Sequence, residues 1–413
     1  MDAAPRKPAG SGPAADTRFA GVLQAARTLQ PHTVALRRQV HRRPERGLHL
    51  PATQAAVLHA LQELPLRVTT GAKLSSVVAV LDGARPGPAV LLRADMDALP
   101  LVEETGLAFA STTEGTMHAC GHDTHVAMLV SAARLLCNWR HTFGGQVVFM
   151  FQPGEEGHHG GLYMIDEGVL DAAGQRVGKA LALHITSTLR SGVLQTRLGP
   201  IMASSDVLRV RVTGRGGHAA MPQDTVDPVP AAAAMVGALQ TMIGRRVSAF
   251  DPSVISVTRI AAGTTNNVIP ETAELEGTIR ALSEDTRTLV HREVRRVCEH
   301  VAAAHGCTAT VDIDLGYPVT VNDEAVGRQV IDLARLVLGH RYAELMASPS
   351  MGAEDFAYVL RQVPGVLAFL GACPPGTRPS EAAPNHSSRV LFDEAAMEHG
   401  VALYAAFALD ALR

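Results

Sequence analysis

The sequence predicts an α/β protein: a domain on a mostly parallel central sheet flanked by helices, with a smaller α+β unit inserted into it. Three observations lead there. From about residue 19 to residue 196, short apolar runs alternate with Ala- and Leu-rich helical stretches, the succession that builds a largely parallel sheet. Between about 200 and 315 the order becomes β-α-β-β-α-β, the ferredoxin-like split motif. Beyond it, a helix, an apolar strand and a terminal helix read as a return to the first domain.

Residues 1–17 (MDAAPRKPAGSGPAADT) lack periodicity and read as a disordered leader. The expected domain limits are then 18–199 with 316–413 for the larger, metal-binding domain and 200–315 for the insertion. A helix is expected from Phe19 to His41. Strands over Ala89–Leu92, Gln146–Phe151 and Ala180–Leu183 run into Arg93-Ala94-Asp95-Met96-Asp97, Pro153-Gly154-Glu155-Glu156-Gly157 and His184, and an open α/β sheet places its site at such carboxyl ends. An apolar helix is expected over Val126–Leu136. In the insertion, Leu208, Val210 and Val212 alternate with polar residues, as do Ala273, Leu275, Gly277 and Ile279. Ser283 caps its second helix, which closes near Gly306. Helices over Glu324–Leu338 and Asp393–Leu412 and a strand over Val366–Leu370 complete the chain.

Composition narrows the function. The chain's 413 residues suffice for two or three domains, and 46% hydrophobic with 19% charged residues excludes a disordered chain or a coiled coil. A formal charge of −3 and the lack of any Lys/Arg run argue against nucleic acid as a partner. No stretch reaches the ~18 apolar residues of a membrane span. Five widely spaced cysteines and no apolar signal segment lead to the expectation of reduced thiols in a cytoplasmic protein.

Eighteen histidines are the first hint of metal. Met117-His118-Ala119-Cys120-Gly121-His122-Asp123-Thr124-His125 packs a thiol, three imidazoles and a carboxylate just before an apolar helix, whose dipole favours a thiolate; Cys with His suits zinc or a similar transition metal. Glu155-Glu156 lies on a turn just past a buried strand. Neighbouring side chains point in different directions, so one carboxylate can bind metal while the other acts as general base. His184 and His386, taken singly, carry no such signal.

The segments RRQVHRRPERG, LLRADMDALP, MHACGHDTH, PGEEG, LHI, GRGGHAAMP, NNVIP, GTIR, MGAEDFAYVL and NHSSRVLFDE occur in this order. Together they resemble the binuclear metallohydrolase family of aminoacylases, carboxypeptidase G and hippurate hydrolase, most of all its indoleacetyl-amino-acid hydrolase branch. The resemblance covers nearly all the chain beyond residue 30. It implies Cys120, His122, Glu156, His184 and His386 as ligands of two divalent transition-metal ions (zinc, manganese, nickel or cobalt), with Cys120 as a bridge. Glu155 becomes the acid/base, and Asp95, Asp97 and Asp123 become carboxylates that orient the ligands. His218 is implied as the oxyanion-stabilising histidine, arriving across a dimer interface, and Asn267 and Arg280 as contacts of the substrate carboxylate. Arg280 also lies on the polar side of its expected strand, where a guanidinium can grip a carboxylate bidentately. Histidines 118, 125, 158 and 159 stay outside the ligand set.

The implied activity is metal-dependent hydrolysis of an N-acyl amino acid to a carboxylic acid and a free amino acid, in a homodimer or higher homo-oligomer joined through the inserted lid. A dipeptidase or a deacetylase of N-acetyl amino acids is the alternative within this chemistry. A cysteine-nucleophile hydrolase using Cys120 leaves the tandem glutamates and distant histidines without purpose. A non-catalytic binding protein would be expected to have lost Glu155 or a ligand.

Overall fold

The computed structural model describes Phe19 and residues 21–413, so the expected leader lies outside the described residues. An eight-stranded sheet forms the larger unit, in the spatial order Arg67–Thr70, Val77–Asp82, Gln146–Gln152, Ala89–Asp95, Lys179–Thr186, Gly365–Gly371, Leu194–Thr196, Ala343–Leu345. Its centre is parallel: Ala89–Asp95 pairs with both Gln146–Gln152 and Lys179–Thr186, and the latter with Gly365–Gly371. Antiparallel pairs occur nearer the edges. All seven residues of Ala89–Asp95 are buried. Both faces are covered, which is why Ala89–Leu92 is a continuous apolar run rather than an alternation.

Helices Val22–His41, His122–Trp139, Glu324–Leu338 and Met397–Ala411 pack on one face, over a core that includes Leu129, Leu183, Leu370 and Phe407. Gly160–Asp166 and Ala357–Leu360 lie on the other, beside Met150, Leu367 and Phe356. Among the described residues no helix is long and apolar enough to cross a membrane. The five cysteines are buried free thiols.

Residues 206–315 form the second unit, a four-stranded antiparallel sheet in the order Ser253–Ala262, Thr272–Ala281, Asp206–Thr213, Thr308–Leu315. This is the ferredoxin-like order expected from the β-α-β-β-α-β reading. Leu208, Val210, Val212, Leu275 and Ile279 face a core shared with helices Pro228–Arg246 and Glu284–Ala304. The outer faces of the strands carry the alternate polar residues.

Two boundaries depart from expectation at the site. The helix expected from Val126 begins at His122, and the strand expected to end before His184 runs to Thr186. His122, Asp123, Thr124 and His125 are polar yet buried, so polarity placed the helix start four residues late.

Candidate metal centre

The site forms where the parallel strands end. Asp95 closes one strand, Glu155 and Glu156 follow the next, and His184 sits near the end of a third. Cys120 and His122 flank Gly121, whose φ of 84° and close quarters with Ile185 exclude a side chain: a Cβ there would lie 2.4 Å from Ile185 Cγ2. His386 comes from the loop after Gly365–Gly371 and is itself held at φ 68°, a conformation costly for a non-glycine residue.

The structure brings all five expected ligands together. Cys120 belongs to two triads, one with His122 and His184 and one with Glu156 and His386, and within each the donor atoms lie within 4.8 Å of one another. The Cys120 Sγ is 3.4 Å from His184 Nε2 and 3.2 Å from His386 Nε2, and the latter nitrogen is 3.3 Å from Glu156 Oε1. Cys120 is thus the donor common to both triads and would be available to two ions at once. Neither ring nitrogen of the buried His122 has a hydrogen-bond partner. Buried polar atoms are nearly always satisfied, and a Cys/His/Glu donor set suits borderline transition metals, so the residues present fit two ions. Burial pushes the Cys120 thiol up, but His184 and His122 more than offset this and hold it well below the usual thiol range.

The surroundings fix the donors. His184 donates Nδ1–H to the Ile185 carbonyl at 2.8 Å, which turns Nε2 toward Cys120. Asp97 accepts the backbone N–H of Glu155 at 3.0 Å and of Glu156 at 2.9 Å, and stands 3.5 Å from His122 Nδ1. Both ring nitrogens of His125 are engaged by protein groups: its Nδ1 donates to Asp95 at 2.5 Å and its Nε2 accepts the Ile185 N–H at 2.7 Å. Asp123 does not orient a ligand as expected. Its carboxylate accepts from Arg37 Nε and His41 Nδ1, both at 2.9 Å, behind the helix start. Histidine 118 is buried with neither nitrogen partnered, and burial lowers its pKa to about 4.

Other groups escaped the sequence. Asn385 donates Nδ2–H to the carbonyls of Cys120 (3.2 Å) and Ile185 (2.9 Å), tying the His386 loop to the segments that carry Cys120 and His184. Arg93, fully buried, donates to Asp95 (2.5 Å), Gln152 (2.9 Å), Glu354 (2.9 Å) and Asp355 (3.0 Å). Burial, together with the carboxylates of Glu354, Glu156 and Asp355, holds the buried Glu155 carboxyl well above its ordinary range.

A cavity of about 490 Å³ opens on this cluster, lined by Cys120, Glu155, Glu156, His184 and His386 and, from the second unit, by Arg280. Arg280 is half-buried and forms no ion pair among the described residues. His218 and Asn267 are not in this cavity. They lie together on the exposed end of the second unit, where His218 pairs with Val268 and Ala219 N–H donates to the Asn267 carbonyl at 3.1 Å.

The chain is similar to known proteins over almost its whole length. Thermostable carboxypeptidase 1 of Saccharolobus solfataricus is 37% identical over 390 residues, 93% of this chain and 96% of that protein. The IAA-amino acid hydrolase ILR1-like 2 of Arabidopsis thaliana is 34% identical over 384 residues, 92% and 85% of the two chains. The Bacillus subtilis YxeP protein, described as a dinuclear metal-binding peptidase of the M20 family, superposes with a TM-score of 0.81 at 31% identity, over 94% of this chain and 99% of its own. The model of peptidase family M20/M25/M40 matches residues 91–410, which include every expected ligand. The chain belongs to the M20/M25/M40 peptidase family, hydrolases of amino-acid amide and peptide bonds.

Proposed function

We propose that the protein hydrolyses the amide bond of N-acyl amino acids, releasing a carboxylic acid and a free amino acid. One observation carries this reading: Arg280, a guanidinium without a carboxylate partner, lines the same cavity as Glu155 and the metal donors. Among the lining residues it is the only Lys or Arg, and it suits a single substrate carboxylate. The cavity's carboxylates are Glu155 and Glu156, both assigned to the chemistry. No acidic group remains for the free α-ammonium of a dipeptide, which favours an acylated nitrogen. Met202 and Phe369 offer apolar wall to an acyl group or a neutral side chain.

Cys120, His122, Glu156, His184 and His386 would hold two divalent transition-metal ions, which supply Lewis acidity toward water and the scissile carbonyl. Glu155 takes a proton from the attacking water and delivers it to the departing nitrogen, so that the amine leaves neutral. Arg280 fixes the carboxylate and so the register of the amide bond over Glu155. His218 and Asn267 are exposed and do not line the cavity of their own chain, which supports their acting from a partner subunit: His218 toward the developing oxyanion and Asn267 toward the carboxylate.

The test is hydrolysis of benzoyl, acetyl and indoleacetyl amino acids and of dipeptides by protein of measured metal content. Dipeptides cleaved faster than every N-acyl amino acid would refute the reading.

A further inference from the structure

The polypeptide passes between its eight-stranded and four-stranded sheets on two neighbouring segments. Gly199–Met202 pairs with Thr320–Asn322 at the larger unit, and Asp206–Thr213 pairs with Thr308–Leu315 in the smaller one, so residues 203–205 and 316–319 form the hinge. The two hinge segments are bonded to each other: Ser205 N–H donates to the Tyr317 carbonyl at 3.0 Å, and Tyr317 N–H to Ser205 Oγ at 3.4 Å. Ser204 bonds to the residue after Arg280, donating N–H to the Ala281 carbonyl at 2.8 Å while its Oγ accepts the Ala281 N–H at 3.2 Å.

From this node the Tyr317 side chain reaches the turn that carries Glu155. Its ring is buried and packs edge-to-face on His159, with centroids 5.0 Å apart. Its hydroxyl donates to the Glu155 carbonyl and accepts the Gly157 N–H at 2.7 Å. The Glu155–Gly157 turn is thus held on both sides. Asp97, at the end of the central sheet, takes the N–H groups of Glu155 and Glu156, and Tyr317, in the hinge, takes the far end. A short path of hydrogen bonds and peptide bonds therefore joins Arg280 to Glu155 through Ala281, Ser204, Ser205 and Tyr317.

We propose that Tyr317 is a positioning residue: its hydroxyl, anchored in the hinge, sets the Glu155 turn in register with Arg280, so that a substrate gripped by its carboxylate meets the acid/base group correctly placed. This rests on the roles given above to Glu155 and Arg280. Misplacing a reacting group by about 1 Å can cost about 10²-fold in rate. The hydroxyl's effect should therefore fall on kcat, and on substrates that Arg280 holds.

The experiment compares the metal-loaded full-length wild type with Tyr317→Phe, which keeps the ring and its packing. The probes are N-acetylmethionine and N-benzoylglycine, each with its carboxamide as a control lacking the carboxylate. Hydrogen exchange of segment 153–160 reads the turn directly. Expected are faster exchange in that segment, unchanged metal content and KM, and a kcat lower by about ten-fold or more for the acids and by less for the amides. Unchanged exchange, an unchanged kcat, or a loss of rate that follows loss of metal each overturns the proposal. If the wild type hydrolyses neither acid, the amidohydrolase reading falls, and the exchange result alone decides the clamp.

Discussion

One oxygen of Asp97 takes the backbone N–H of Glu155 at 3.0 Å, while its other oxygen takes that of the following residue. A single carboxylate thus orients both Glu155 and Glu156, the proposed acid/base group and the proposed metal donor, and it also stands beside His122. Asp97→Asn retains the shape but replaces one acceptor with an NH₂ that faces an N–H. Metal affinity should fall by about 10- to 100-fold, the range for groups that orient ligands. Metal titration of the purified variant checks this, and wild-type affinity would show that the turn holds without it.

The adjacent carboxylates should separate cleanly. Glu155 lies buried against Glu354 and Asp355, whereas Glu156 faces Cys120 and His386. Glu155→Gln should keep the metals and lose about 10²-fold or more in kcat, the size of a lost general base. Glu156→Gln should lose metal. Equal metal retention in both variants reverses or removes the assignment.

Chelation should abolish hydrolysis, and metal added back should restore it. Since Cys120 belongs to both triads, Cys120→Ser should weaken both sites, a hydroxyl being a poor replacement for a thiolate. Unchanged metal content with lost activity would instead favour a nucleophilic cysteine.

The central architecture was legible because covered strands announce themselves as apolar runs and the inserted unit as strict alternation. Its site was legible in part for a different reason. Cys120, His122, Glu155 and Glu156 stand close in sequence to strand ends or the helix start, but His184 and His386 become candidate donors only when the strands and the loop after Gly365–Gly371 converge, which resemblance could supply and periodicity could not. Asn385 and Tyr317 act through backbone groups far away in sequence. Nothing in their local pattern distinguishes them from loop and hinge residues. Asp123 differs from expectation because adjacency in sequence to His122 does not place its carboxylate beside that ring: the helix turns it toward Arg37 and His41.

That buried pair makes stability depend on pH. Burial alone would lower the pKa of His41, but Asp123 and Glu103 raise it to about 9. Because the folded value exceeds the unfolded 6.5, the stabilisation is full below about pH 6.5 and is lost as pH rises through about 9; at pH 7 it is on the order of 2–3 kcal/mol. Urea unfolding should show stability declining from pH 7 to 10, with the slope flattened in His41→Gln. Equal slopes in both proteins would place the titrating group elsewhere.

Arg280 and His218 sit on the same inserted unit but on opposite terms with the cavity: Arg280 lines it, whereas His218 is exposed beside Asn267 away from it. Arg280→Ala should therefore act within its own chain and reduce the preference for an N-acyl amino acid over its methyl ester or amide, which lack the charge a guanidinium recognises. A histidine supplied in trans behaves differently. Glu155→Gln and His218→Ala chains are each expected to be inactive as homodimers. A mixed dimer, however, pairs an intact Glu155 in one chain with an intact His218 from the other, so one of its two cavities is complete. Mixing the variants under conditions of demonstrated subunit exchange should restore activity, toward one quarter of the wild-type rate for random pairing, since half the dimers are mixed and each mixed dimer has one working site. No recovery despite exchange would assign His218 to its own chain's cavity after a lid movement, or remove it from the reaction.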